Sequence, residues 1–234
     1  MSISQGDVKT TTVINQVKLF SIEVTILLVA FLSSALLIFY LVKEVFYSDS
    51  VELDKYVFDF FANHTTPGLT SFMKRVTILG GHQFLVPANL SIIAYSYFIR
   101  RKKWFAIKTF AVAFSSLILM FALKAMFNRS RPLTPLLGEV AGLSFPSGHA
   151  FMSFTFFGLL IYVVYQQVEN IALRWTLIIL LLAITFVVGI SRIYLRVHYP
   201  TDVLAGFSIG TMWLILSMWV LHLIEKNKTK LPAI

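Results

Sequence analysis

Long apolar runs broken by short polar segments set the pattern of this chain. A helix rises about 1.5 Å per residue, so about 20 apolar residues cross a hydrocarbon core roughly 30 Å thick. Six segments fit: residues 24–42, a second ending at Ile99, 104–123, 150–168, 175–193 and 203–224. The second begins between Val76 and Gln83, where Gly80, Gly81 and His82 weaken the helical signal ahead of Pro87. Residues 69–79 carry Lys74 and Arg75 among apolar neighbours. They read either as part of that span or as a short helix lying in the interface. The predicted fold is all-α, an integral membrane bundle of six transmembrane helices. No internal repeat or linker divides it, so residues 1–234 read as a single membrane-embedded domain.

Composition agrees with the pattern. Of 234 residues, 57% are hydrophobic and 13% charged, with mean hydropathy +0.78. A soluble domain of this length cannot hide so much apolar surface. The net charge of +9 sits beside apolar runs rather than in a separate basic patch. It therefore speaks for membrane topology and against nucleic acid as a partner. With no cysteine, disulfides, thiolate nucleophiles and sulfur-bound zinc are excluded. The first apolar run follows a polar leader and lacks a small-x-small cleavage pattern, as expected of a retained anchor.

Short loops set the orientation. Arg100-Arg101-Lys102-Lys103 is the densest basic run, and Lys226, Lys228 and Lys230 follow the last span. The positive-inside rule puts both, and with them both termini, in the cytoplasm of a multi-pass cell (inner) membrane protein. Two other loops, between spans three and four and between five and six, then meet at the outer membrane–water interface. These two loops carry the chemistry.

One contains Lys124-Ala125-Met126-Phe127-Asn128-Arg129-Ser130-Arg131-Pro132 and ends in Pro146-Ser147-Gly148-His149. The other is Ser191-Arg192-Ile193-Tyr194-Leu195-Arg196-Val197-His198-Tyr199-Pro200-Thr201-Asp202. Ionisable groups this close to hydrocarbon are costly unless they act together. Ser147 reads as an N-cap, or with Gly148 as a helix start whose free N–H groups receive an anionic oxygen. Lys124, Arg131 and Arg192 each read as side chains reaching for the interface. As a set they are the fixed cations that phosphate oxygens require. Asp202 suits a helix N-terminus for electrostatic reasons alone. It is also placed to bind one nitrogen of His198 and leave the other free to attack, with His149 donating a proton. Arg129 and Arg196 read as lipid-headgroup contacts. His64 and His222 read as interfacial, and His82 is given no role. Leu133, Leu136, Leu137, Val140, Leu143 and Phe145 make the connecting loop apolar, suited either to lie against lipid or to pack at the interface.

Lys124-x6-Arg131-Pro132, Pro146-Ser147-Gly148-His149 and Ser191-Arg192-x5-His198-x3-Asp202 resemble, in order and without departure, the three signature motifs of the type 2 phosphatidic acid phosphatase family. The motifs lie within 124–202, and the six-span layout extends the resemblance over most of the chain. Soluble vanadium haloperoxidases share the signature, but the membrane spans here argue against them. The resemblance implies a membrane lipid phosphatase of bacterial type, with no cofactor and no metal. It implies His198 as the nucleophile that forms a phosphohistidine, Asp202 as its orienting partner and His149 as general acid. It implies Lys124, Arg131, Ser147, Gly148 and Arg192 as the phosphate-binding residues.

The expected substrate is a lipid phosphomonoester or pyrophosphate held in the bilayer. Phosphatidylglycerol phosphate, phosphatidic acid, undecaprenyl pyrophosphate and lipid A phosphates all remain open, and no obligatory protein partner is implied. A lipid phosphotransferase using the same site is the enzymatic alternative, and a small transporter is a rival of another class. A transporter wants polar groups near the bilayer midplane, whereas the ionisable cluster here gathers at helix ends. Lys108 and Glu23, inside spans, read as side chains snorkelling near the cytoplasmic ends.

Overall fold

A computed structural model of the chain describes residues 5–48, 52–138 and 140–228, with side chains from Ile22 onward and short of Lys228. Glu139 and Lys230 lie outside the described residues. All regular structure described is helical: α1 Gln5–Tyr47, α2 Glu52–Asn63, α3 Pro67–Val76, α4 His82–Ala94, α5 Lys103–Phe127, α6 Gly148–Gln167, α7 Ile171–Tyr194 and α8 Pro200–Lys228. A 3-10 turn, Thr77–Gly80, joins α3 to α4, and a π-helical turn, Tyr95–Ile99, ends α4.

Among the described residues, five helices are long and apolar enough to cross a membrane, and Pro67–Gly80 with His82–Ile99 reaches that length and hydropathy only as a pair bent by 40°. Two glycines mark the bend. A Cβ on Gly80 would strike Val188 of α7, and Gly81 is extended at φ −87°, ψ 158°, where it caps α4 without continuing α3. Residues 69–79 lie in the first limb of this bent pair, with Met73 buried and Lys74 and Arg75 exposed.

α6 packs against α4, α5, α7 and α8 and forms the centre of the bundle. Burial is uneven along it. Ala150, Phe151, Ser153, Thr155, Phe156, Phe157 and Leu159 are buried, and none of the following residues to Gln167 is. The buried residues of α7 gather toward its C-terminus, from Thr185 to Tyr194, with Ile178 the exception. Packing is therefore tight at one end of the bundle. There Gly206 lets α8 approach α6, since a Cβ at that position would lie 2.8 Å from the Ser147 carbonyl oxygen and 2.9 Å from the Ala150 Cβ. Outward faces are apolar, with Leu36, Phe39 and Ile179 well exposed, as lipid contact requires.

α2 has no counterpart among the six predicted segments. Its Val57, Phe58 and Phe61 pack on Ala150, Ile193 and Val203, which lays α2 across the tight end of the bundle. Asp54 sits on that same buried face, one turn before Phe58.

Candidate active site

All three motifs meet at the tight end. α5 stops at Asn128, which adopts a left-handed φ of 47° and donates its N–H to the Lys124 carbonyl at 3.0 Å. The chain then crosses to the start of α6. Ser144 N–H donates to the Arg129 carbonyl at 2.8 Å, and Leu136 N–H to the Leu195 carbonyl at 2.9 Å. Leu136, Leu137 and Val140 pack on Met73, Tyr194, Leu195 and Val197, and Phe145 is fully buried. Leu136, Leu137 and Val140 thus pack inward on the protein. Leu133, by contrast, is 97% exposed.

α6 and α8 are joined by backbone, the Ser147 N–H donating to the Asp202 carbonyl at 2.9 Å. The Ser147 hydroxyl oxygen caps α6 by accepting the Ala150 N–H at 3.5 Å. The N–H groups of Gly148 and His149, in the first turn, have no intrahelical acceptor and remain available to an anion. A Cβ on Gly148 would lie 2.7 Å from Met120 Sδ. The absent side chain at that position is therefore explained by the close approach of α5.

His198 is 1% exposed and Asp202 fully buried. His198 Nδ1 faces Asp202 Oδ2 at 3.4 Å, and Nε2 lies 3.2 Å from the Arg131 guanidinium. A guanidinium can only donate. Nε2 must then accept, and the proton of the neutral ring sits on Nδ1, toward the carboxylate. Burial pushes the His198 pKa down to about 4, against the pull of Asp202, so the ring is neutral at physiological pH. Arg131 is fixed by two further bonds, Nε to the Gly142 carbonyl at 2.9 Å and NH1 to the Val197 carbonyl at 2.7 Å. Burial lowers its pKa below the usual guanidinium value.

Asp202 is held on every side. Its Oδ2 also accepts from the Ser144 hydroxyl at 2.5 Å and the Tyr199 N–H at 2.9 Å, and its Oδ1 from Arg129 NH1 at 2.6 Å. Ser144 Oγ lies 3.4 Å from His198 Nδ1 as well, bridging the pair.

Lys124 Nζ donates to the Leu143 carbonyl at 2.5 Å, within electrostatic reach of Arg131, Arg192 and Asp202. Arg192 is 4% exposed. Its NH1 donates to the buried Thr77 hydroxyl at 2.7 Å, while its Nε has no hydrogen-bond partner. His149 lies within the field of Arg192, His198 and Arg131. Its ring sits against the break in the second span, where a Cβ on Gly81 would be 3.5 Å from Nε2.

One sequence reading is corrected. Arg129 is not a headgroup contact. Its NH2 pairs with Asp54 Oδ2 at 2.8 Å and its NH1 with Asp202, and its guanidinium covers the Tyr199 ring at 4.0 Å. Lys108, read as a side chain snorkelling near the cytoplasmic end, meets a carboxylate there, its Nζ pairing with Glu225 Oε2 at 2.5 Å. Asp54, Thr77, Ser144 and the Gly80-Gly81 backbone belong to the site or its support and were not read from the sequence. Arg196 is half-buried with φ 55°, at the turn before His198, and His82 is exposed at the head of α4.

Fold and site together define an all-helical membrane protein with a histidine–carboxylate pair facing convergent cations. The chain belongs to the PAP2 superfamily, whose family model matches residues 104–226, and it is a membrane phosphatase. It is 34% identical over 148 residues to phosphatidylglycerophosphatase B of Bacillus subtilis (strain 168), a match covering 62% of this chain and 72% of that protein. The crystal structure of a transmembrane PAP2 type phosphatidylglycerolphosphate phosphatase from Bacillus subtilis superposes with a TM-score of 0.74 at 28% identity, covering 83% of this chain and 96% of that one. Aquifex aeolicus LpxE superposes with a TM-score of 0.58 at 28% identity, covering 73% and 97%.

Proposed function

We propose that this phosphatase removes phosphate from a membrane lipid in two steps, with His198 Nε2 as nucleophile. The observation that carries the reading is the orientation of the His198 ring. Its proton-bearing nitrogen faces a carboxylate, and its lone pair faces a guanidinium that a phosphate oxygen can take over. In the first step Nε2 bonds to phosphorus as the bond to the lipid oxygen breaks, and His149, protonated, gives that oxygen its proton. Asp202 stabilises the positive charge that the His198 ring acquires. In the second step water attacks phosphorus, passes a proton to His149, and the phosphorus–nitrogen bond breaks to release inorganic phosphate. Lys124, Arg131, Arg192 and the free N–H groups of Gly148 and His149, at the start of α6 that Ser147 caps, surround the oxygens on which charge builds, with no metal required. The orphan Nε of Arg192 suits this role, because a bound phosphate oxygen would satisfy it.

The substrate is a lipid phosphomonoester or pyrophosphate whose chains stay in the bilayer. Phosphatidylglycerol phosphate is the first compound to test, given the relatives named above. The chain is read as one membrane-embedded unit, residues 1–234, with its catalytic motifs in 124–202. Its site faces the extracytoplasmic side and both termini face the cytoplasm. That orientation is supported by Arg100 to Lys103 at the end of the bundle opposite the motifs. A cysteine at Gly138 should react with an impermeant thiol reagent on intact cells and one at Lys102 should not; the reverse labelling would place the site in the cytoplasm.

The deciding assay is phosphate release from a panel of purified lipid phosphates, with His198→Ala inactive on all of them. Radiolabelled phosphate should be trapped on the parent protein as an acid-labile adduct and be absent from His198→Ala. An active His198→Ala protein would end the proposal. Transfer of phosphate to an added alcohol in preference to water would reassign the chain as a phosphotransferase.

A further inference from the structure

The end of the bundle opposite the motifs holds a groove of about 940 Å³ between α4, α5, α6 and α8. Trp104, at its edge, lies 20 residues before Lys124 on the same helix, which separates the groove from the catalytic cations by about 30 Å. That is one hydrocarbon thickness, so the groove opens at the opposite membrane interface.

Its lining joins one cationic turn to mostly apolar side chains, with the Lys108–Glu225 ion pair among them. Arg100, Arg101, Lys102 and Lys103 line one side, and Ile92, Phe105, Leu160 and Val163 lie among the apolar lining residues. The cationic turn is built into the fold. Arg100 N–H donates to the Tyr95 carbonyl at 3.0 Å and Lys102 N–H to the Ser96 carbonyl at 2.9 Å, with Arg101 between them at φ 56°. Lys108, deeper in the groove, is already paired with Glu225. Lys102 Nζ reaches Gln167 Oε1 at 3.3 Å, across to α6. Among the described residues, no carboxylate pairs with Arg100, Arg101, Lys102 or Lys103.

From the fixed cationic turn beside the apolar lining, we infer that this groove holds an anionic glycerophospholipid of the leaflet opposite the active site. The phosphodiester lies against Arg100 and Arg101, and an acyl chain lies along Leu160 and Val163. A soluble anion would have no use for the apolar lining, and a zwitterionic lipid no use for four cations. The inference does not depend on the catalytic roles proposed above.

Trp104 supplies the probe. The full-length protein with Trp175→Phe, Trp213→Phe and Trp219→Phe, checked for retained phosphate release, is placed in phosphatidylcholine vesicles. Phosphatidylglycerol brominated in its acyl chains is then added at rising mole fraction. Trp104 emission should fall saturably, with half-quenching at a mole fraction about fivefold or more below that needed with brominated phosphatidylcholine. Arg100→Gln with Arg101→Gln should remove the preference for the anionic lipid. Leu160→Phe, which fills the apolar part of the groove and keeps every cation, should weaken quenching by both lipids. Excess inorganic phosphate should leave the quenching unchanged. Quenching that is linear and equal for the two lipids, or a preference that survives the double glutamine variant, would overturn the inference. Relief of quenching by inorganic phosphate would do so too, since the site would then belong to a soluble anion.

Discussion

Asp54 is the residue whose removal tests the architecture of the site most directly. It touches none of the groups proposed to bind phosphate, yet it holds two that stand behind them. Its Oδ1 accepts the Thr201 N–H at 2.9 Å, and its Oδ2 accepts the Thr201 hydroxyl and Arg129 NH2, both at 2.8 Å. Burial raises its pKa, opposed by the Thr201 N–H and by Arg129. Asp54→Ala leaves Arg129 with Asp202 alone and orphans an N–H in the first turn of α8. Removing one partner of a buried ion pair costs roughly 3–5 kcal/mol, and the lower figure applies because Arg129 keeps a second carboxylate.

Denaturant unfolding of the purified protein in detergent should therefore show a loss of about 3 kcal/mol. Asp54→Asn, which keeps the shape and one acceptor for Thr201, should fall between the two. Activity should respond through kcat. Once Arg129 is free to shift on Asp202 Oδ1, the carboxylate behind His198 is less well held, and a tenfold fall corresponds to about 1.4 kcal/mol in the barrier. KM should stay near the parent value, because Asp54 reaches no group that binds the lipid phosphate. A variant within about 0.5 kcal/mol of the parent in stability would refute the reasoning, since that is the range of an ordinary surface change. A change confined to KM would refute the positioning role.

Other expectations test the chemistry and its pH range. His149→Ala should slow release of lipid alcohols far more than of p-nitrophenol, which needs little protonation to leave; equal losses would remove His149 as the acid. Activity should survive excess EDTA, orthovanadate should inhibit, and Arg192→Gln should weaken both turnover and vanadate binding; EDTA inactivation reversed by Mg²⁺ would contradict a phosphate site built only from protein cations. His198 has a folded pKa of about 4, below its ordinary value near 6.5. The unfolded chain therefore binds the extra proton first, and stability present above about pH 6.5 is lost as the pH falls to about 4, by about 3 kcal/mol. In His198→Asn that part of the pH dependence should vanish, which unfolding measured across the range will reveal.

The side chains proposed for catalysis were legible as a set because each lies in a short stretch whose residue types and spacing suit that chemistry. The spans were legible because lipid demands about 20 apolar residues at a time. What escaped notice came from elsewhere in the chain. Arg129 sits in a loop beside membrane, where a headgroup contact is the economical reading, and its partner Asp54 lies 75 residues away. A signal for Asp54 did exist, an acid four residues before Phe58 and seven before Phe61 on one face of a helix, but α2 is too short to count as a span. Thr77 and Gly80-Gly81 mark a break in the second span, visible in the sequence as a blurred start. Nothing local says that the break faces His149. Ser144 precedes the Pro146-Ser147-Gly148-His149 motif by two residues, and a lone serine there has no pattern to set it apart.

Uneven packing along the bundle has a mechanical consequence. The helices are clamped where Ser147 bonds to Asp202 and where Gly206 lets α8 touch α6, and a groove of about 940 Å³ lies at the far end. When the bilayer thins, thickens or bends, adjustment of tilt should fall mainly on that looser end, with the distances among Arg131, His198 and Asp202 changing least. Turnover in vesicles of increasing chain length should therefore change little until the mismatch exceeds what the looser end can absorb, and then fall abruptly rather than in proportion.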